Sequence, residues 1–165
     1  MRHADRPTVE EELFVGAPPE RVWRLISDIA FFVEASDELQ AVHWSSGEGA
    51  DPAVGRCFVG TNSNRYFGEW QTTSTVIECD EPRVFAWAVG DVDEPNTTWR
   101  FSLRPEGDGT VVTQWVCLGP GPSGIGIAIA RMPDKEEKIV AGRMREFRDA
   151  MRANLVAVKA HAEKA

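Results

Sequence analysis

From Leu39 to Leu118 the chain alternates short β-forming runs with turn signals, and this rhythm narrows its fold more than any other feature. The runs are Leu39–Trp44, Cys57–Asn64, Glu69–Cys79, Val84–Val89, Thr97–Arg104 and Thr110–Leu118. The breakers between them read SSGEGADPAVG, NRYFG, DEPR, GDVDEPN and PEGDG, rich in the glycine, proline, asparagine and aspartate that turns require. Parallel neighbours need long crossovers, and these connections are too short for them. The six runs are therefore expected to pair as antiparallel strands.

The flanks complete the pattern. Thr8–Val15 alternates as a strand does, and GAPPERVWRLISDI follows at once. Pro18 and Pro19 suit a helix entry, where a missing N–H is harmless. Val22, Trp23, Ile26 and Ile29 then recur at helical spacing. Phe31–Asp37 reads as a second short helix or a turn. After the last strand, GPGPSGIGIAIARMP reads as a long Gly/Pro-rich loop over Gly119–Met132, apolar at Ile125, Ile127 and Ile129. From Pro133 to about Glu163 the residues Val140, Met144, Phe147, Met151, Leu155 and Val158 form an amphipathic stripe. The order is strand, helix, six strands, long helix: an α+β domain with one antiparallel sheet and one dominant helix on it. A length of 165 residues fits one domain, expected over 1–165 with 1–7 as a flexible N-terminus.

Composition excludes some classes of function. A formal net charge of −8 argues against nucleic acid and anionic surfaces, which need a cationic footprint. No run approaches the roughly 18 apolar residues of a membrane span, and the N-terminal MRHADRPTVEEE lacks a signal peptide's apolar region. Cys57, Cys79 and Cys117 are far apart and lack metal-ligand spacing, so they read as reduced thiols of a cytoplasmic protein. No metal cluster, GxSxG or phosphate loop occurs, and no cofactor is expected.

Three segments carry a resemblance to a known family. APPERVWRLISDI looks like its first helix, GEWQTTSTVIECDEPRVFAWAV like its central hairpin, and TTWRFSLRPEGDGTVVTQWV like its last. Over about Val9–Ala160 the chain resembles the helix-grip superfamily, which includes START domains, the major birch-pollen allergen and bacterial polyketide cyclase/dehydrase-like proteins. The resemblance implies a curved seven-stranded antiparallel sheet wrapped around the long C-terminal helix. One or two short helices follow strand 1. It implies a cavity between sheet and helix, with end loops as gates, so Gly119–Met132 becomes a candidate lid. It is a poor guide to function, because members range from lipid carriers to cyclases and receptors.

Strand alternation then names the residues facing that cavity. Trp99, Phe101 and Leu103 share a face, as do Phe85, Trp87 and Val89, and Val112, Gln114, Val116 and Leu118. Val76 brings Trp70, Thr72 and Ser74 inward; Phe58 brings Gly60, Asn62 and Asn64; Val15 and Leu13 bring Glu11. The expected ligand-binding set is Phe58, Asn62, Trp70, Thr72, Ser74, Phe85, Trp87, Trp99, Phe101 and Gln114. Ile127 from the lid and Met144, Phe147 and Met151 from the helical stripe join it. Apolar walls with a few placed polar groups describe a small-molecule site. The alternative is a solid aromatic core with polar residues at strand ends.

Glu11 and His43 are the weak candidates for catalysis, as an inward carboxylate and a strand imidazole. His3 and His161, near the chain ends, are expected in solvent. Three functions stay open. The first is binding or transport of a small hydrophobic or aromatic ligand, lipid or polyketide-like. The second is a polyketide cyclase or aromatase-dehydratase-like enzyme, and the third a structural or interaction domain. The oligomeric state, a homodimer among the options, stays open too.

Overall fold

The computed structural model describes residues 1–47, 49 and 51–164. Seven strands form one antiparallel sheet: β1 (Thr8–Val15), β2 (Leu39–Trp44), β3 (Cys57–Asn64), β4 (Gly68–Asp80), β5 (Val84–Gly90), β6 (Pro95–Glu106) and β7 (Gly109–Leu118). Their order is β1-β7-β6-β5-β4-β3-β2, so β2 through β7 are a meander and β1 closes onto the last strand. Each turn signal sits between strands as expected. The β2–β3 connection includes Glu48 and Ala50, which lie outside the described residues.

Among the described residues three α-helices complete the fold: α1 (Pro19–Ile26), α2 (Gly124–Arg131) and α3 (Glu136–Ala162). Pro19 starts α1, whose Val22, Trp23 and Ile26 are buried. Phe31–Val33 forms one 3-10 turn. The sheet curves around α3, and register irregularities between Leu39 and Ala41, Val76 and Glu78, and Val89 and Gly90 mark its bends. This is the helix-grip arrangement, with the sheet open at β1 and β2.

Residues paired across antiparallel strands share a face. Trp99 pairs with Val116 and Trp87, Phe101 with Gln114 and Phe85, and Leu103 with Val112. Further along, Val76 pairs with Trp87, Ser74 with Phe58, Thr72 with Gly60 and Trp70 with Asn62. One concave face thus runs through Leu13, Val112, Leu103, Phe85 and Phe58, in the phase that alternation predicts.

Two hydrophobic clusters fill most of this face. One joins Trp23, Ile26 and Phe32 to Phe85, Phe101, Val112 and Leu155. The other joins Val9, Val116 and Ile125 to Val140, Phe147 and Met151 of α3. The helix lies closest to β1 and β7, so the two clusters seal that side while the β3–β5 side is less covered.

Gly119–Met132 differs from the expected loop, because its second half is α2. The Ser123 hydroxyl caps that helix, accepting from the Gly126 amide at 3.2 Å. Ile125 and Ile129, one turn apart, pack on the second cluster. Cap and burial outweigh the glycine cost of roughly 1 kcal/mol per residue. The first seven residues, expected to be flexible, carry a 3-10 turn at His3–Asp5. Arg2 and the His3 amide both donate to Glu136 of α3. His3, expected in solvent, is half-buried with Nε2 2.7 Å from the Gly119 carbonyl oxygen.

Candidate ligand-binding site

The inner face is not uniformly filled. Phe101 and Met151 are 0% exposed and Phe85 1%, so these three expected ligand contacts are core. Phe101 stacks on Phe32 at 5.2 Å and 11°, and Trp23 meets Phe85 edge-on at 6.0 Å. Phe58 is also buried, between Trp44 at 5.5 Å and Trp87 at 6.0 Å. Beside this packed part lies a band that keeps accessible surface: Asn62, Trp70, Thr72, Trp87 and Trp99 are all half-buried. Trp87 and Trp99 stand on central strands, flanked on both sides, so their free surface opens onto the concave side. They stack at 6.4 Å and 12°. Phe147 of α3 meets Trp99 edge-on at 5.1 Å and walls this groove.

The polar residues of the inner face find partners. Asn62 Nδ2 donates to Thr72 Oγ1 at 3.4 Å across the groove floor. Gln114 is buried and accepts from Asn154 Nδ2 of α3 at 3.2 Å, so it ties helix to sheet. The Trp99 indole donates to Thr97 at 3.1 Å. Ser74 is buried opposite Phe58. Asn64 ends β3 with its side-chain Oδ1 accepting from the Tyr66 and Phe67 amides, a turn role.

Other expected site residues fall elsewhere. Met144 lines a depression of about 320 Å³ between the β1 edge and α3, with Val9, Val140 and Arg145, away from the groove. Ile127 is 58% exposed, on the side of α2 away from Ile125 and Ile129. His43 pairs with Val59 on the convex face and is exposed, which corrects its candidacy as a pocket acid or base. Glu11 does face inward, but Arg148 at 3.1 Å and Arg152 at 3.2 Å hold its carboxylate. These contacts anchor α3 to β1. His161 ends against the Phe31 ring at 5.1 Å.

Sequence reasoning missed the groove's rim. Glu38, just before β2, receives both terminal nitrogens of Arg143 from α3, each at 3.0 Å. Asn64 Nδ2 donates to the same carboxylate at 3.2 Å, and Glu146 takes Arg143 at 2.8 Å. The Arg143 guanidinium lies over the Phe147 ring at 4.6 Å, and its side chain is only 17% exposed. Burial pushes the Glu38 carboxyl up, but the hydrogen bonds and charge of Arg143, with Asn64, outweigh it and hold the group below its ordinary value. Burial pulls the Arg143 guanidinium down, and Glu38 and Glu146 together overcome this and raise it. At the other end of the rim, Phe67 meets Trp70 edge-on at 6.0 Å. A Cβ placed on Gly124 of α2 would stand 3.0 Å from the Phe67 ring. The β3–β4 turn and α2 therefore touch through a side chain and a glycine.

Among the described residues, no group of three or more His, Cys, Asp or Glu is placed to hold a metal. Among the same residues, no helix is long and apolar enough to cross a membrane.

Sheet, gripping helix and partly open aromatic face define a helix-grip protein. The chain belongs to the family described as polyketide cyclase/dehydrase and lipid transport, which matches residues 6–163. It is similar to the Polyketide_cyc-like protein Cgl2372 from Corynebacterium glutamicum, at 31% identity over 92% of this chain and 88% of that one, with a TM-score of 0.64. The di-domain ARO/CYC BexL from the BE-7585A biosynthetic pathway matches at 15% identity over 96% of this chain and 50% of that one, with a TM-score of 0.71. Major latex-like protein 151 from Panax ginseng matches at 10% identity over 96% of this chain and 98% of that one, with a TM-score of 0.64. These last two likenesses are of fold alone. No curated protein matches the chain.

Proposed function

We propose that the chain binds a small, hydrophobic, ring-bearing molecule between β3–β6 and α3. The observation that carries this is the Trp87–Trp99 stack, half-buried on a concave face beside the Asn62–Thr72 pair. Two parallel indoles extend a flat apolar surface onto which a third ring can slide. Asn62, Thr72 and Trp70 give orientation at its edge. A ring that buries about 200 Å² gains about 5 kcal/mol before association costs. A simple aromatic probe should therefore bind in the high micromolar range or weaker, and a larger native ligand more tightly.

The family's range, cyclase/dehydrase to lipid transport, leaves room for turnover. Positioning a poly-carbonyl chain could by itself assist its closure. Native mass spectrometry of the purified protein, with organic extraction, tests binding first. A co-purified lipid or aromatic species supports the proposal and names the ligand class. Trp99→Ala should then reduce its occupancy. Occupancy unchanged in both Trp87→Ala and Trp99→Ala refutes the groove as the site. Conversion of a bound poly-carbonyl compound would move the assignment from carrier to cyclase.

A further inference from the structure

We infer that the mouth of this groove selects uncharged aromatic ligands bearing a hydroxyl or carbonyl group, and turns away carboxylates, through the Glu38–Arg143–Glu146 cluster. The inference rests on the groove proposed above and adds the chemical class of its occupant.

Arg143 brings a guanidinium to the groove wall, directly over Phe147, whose ring touches Trp99. A half-buried arginine in this place would ordinarily favour an anion. Here both terminal nitrogens of the guanidinium are already engaged. Glu38 holds it through both terminal nitrogens at 3.0 Å, and Glu146 holds it at 2.8 Å. Two carboxylates on one guanidinium leave one negative charge at the rim. That charge lies beside an apolar wall where screening by water is reduced. A ligand carboxylate entering past Phe147 meets net repulsion, and both terminal nitrogens of Arg143 are already taken.

A neutral hydroxyl meets the opposite situation. A carboxylate accepts about four hydrogen bonds. Glu38 uses three: two from Arg143 and one from Asn64 at 3.2 Å. Glu146 makes its contact to Arg143 through Oε2, and its side chain is about half exposed. Acceptors therefore remain for a phenolic O–H, and hydrogen bonds from a neutral donor to a charged acceptor are the stronger kind. A carbonyl ligand would instead compete for the Asn62 amide, whose partner among the described residues is Thr72 at a long 3.4 Å.

The test compares two probes of one ring size, 2-naphthol, neutral at pH 7, and 2-naphthoate, anionic at pH 7. Each is titrated by quenching of tryptophan fluorescence. In the wild-type chain 2-naphthol should bind at least about tenfold more tightly, and added salt should narrow the gap by screening the charge. Glu38→Gln removes one negative charge and should tighten 2-naphthoate about fivefold or more, while 2-naphthol, deprived of a charged acceptor, should bind no more tightly than before. Glu146→Gln, at a more exposed position that does not endanger folding, should act in the same direction. Circular dichroism verifies that both variants are folded. Equal affinity for the two probes in the wild type, or 2-naphthoate unmoved in both variants, overturns the charge selection and leaves the groove standing. Failure of both probes to bind overturns the groove and the inference with it.

Discussion

Phe101 and Trp99 are two residues apart on β6 and point to the same face, yet their removal should have opposite consequences. Phe101 is 0% exposed, stacked on Phe32 at 5.2 Å and tilted against Trp87 at 6.2 Å. Phe101→Ala deletes a ring from a sealed region, so the transfer loss and the cavity left behind add. The expected cost is about 4 kcal/mol, within the usual range for such truncations. Trp99 has two ring partners, Trp87 and Phe147, worth about 1 kcal/mol each. Its surface already meets the open part of the face, so solvent fills the space and no sealed void remains. Trp99→Ala should therefore cost less than Phe101→Ala, about 3 kcal/mol at the low end of the usual range, despite the larger side chain. Urea unfolding followed by far-UV circular dichroism measures both, with the slope m unchanged if the comparison is sound. Binding of 2-naphthol should rank the other way, lost in Trp99→Ala and weakened little in a folded Phe101→Leu. Equal destabilisation by the two alanine variants would refute the division into packed and open halves, and with it the groove.

Three further outcomes follow from the same geometry. Glu38 is held below its ordinary value in the fold, so its contribution is present above the unfolded carboxylate pKa and is lost as pH falls through the folded one. Glu38→Gln should flatten that acid limb in pH-dependent unfolding by no more than about 1 kcal/mol, because the pair is partly solvated. Gly119→Ala should abolish folding or cost more than about 3 kcal/mol, since its Cβ would overlap the Pro95 carbonyl oxygen; thermal unfolding checks this. Gly124→Ala should wedge Phe67 away from α2 and speed ligand release at least about threefold in stopped-flow displacement, with stability changed by less than about 0.5 kcal/mol.

Most of the fold was legible because each strand obeys one local rule. Alternation fixed the phase of β3 through β7, and the register confirms those faces pair by pair. The stripe from Val140 to Val158 identified α3, since those positions are buried or pack on the core. Alternation also places His43 outward, as Val42 and Trp44 on either side pack inward. The turn residues of GPGPSGIGIAIARMP concealed α2, whose capping serine and two isoleucines act only once the core is there to receive them. Phase could not separate Phe101 from Trp99, because exposure along one face depends on where α3 lies across it. The Glu38–Arg143 pair spans 105 residues, and no local pattern marks either partner.

The polar band on the inner face gains a physical explanation from its neighbours. Had Asn62, Thr72 and Gln114 been apolar, closing α3 onto the whole sheet would bury more area and gain about 25 cal/mol for each Å². Instead Gln114 and Asn154 fix the helix at one distance from β7. Asn62 and Thr72 satisfy each other only weakly on the far side. Gly60 lies between them on the floor, and a Cβ there would stand 3.3 Å from Leu39 and 3.4 Å from Thr72. A glycine and a hydrogen-bonded pair keep the floor low and make its desolvation costly. The stability forgone by leaving part of the face open is a few kcal/mol, the scale on which natural proteins give up packing for a site.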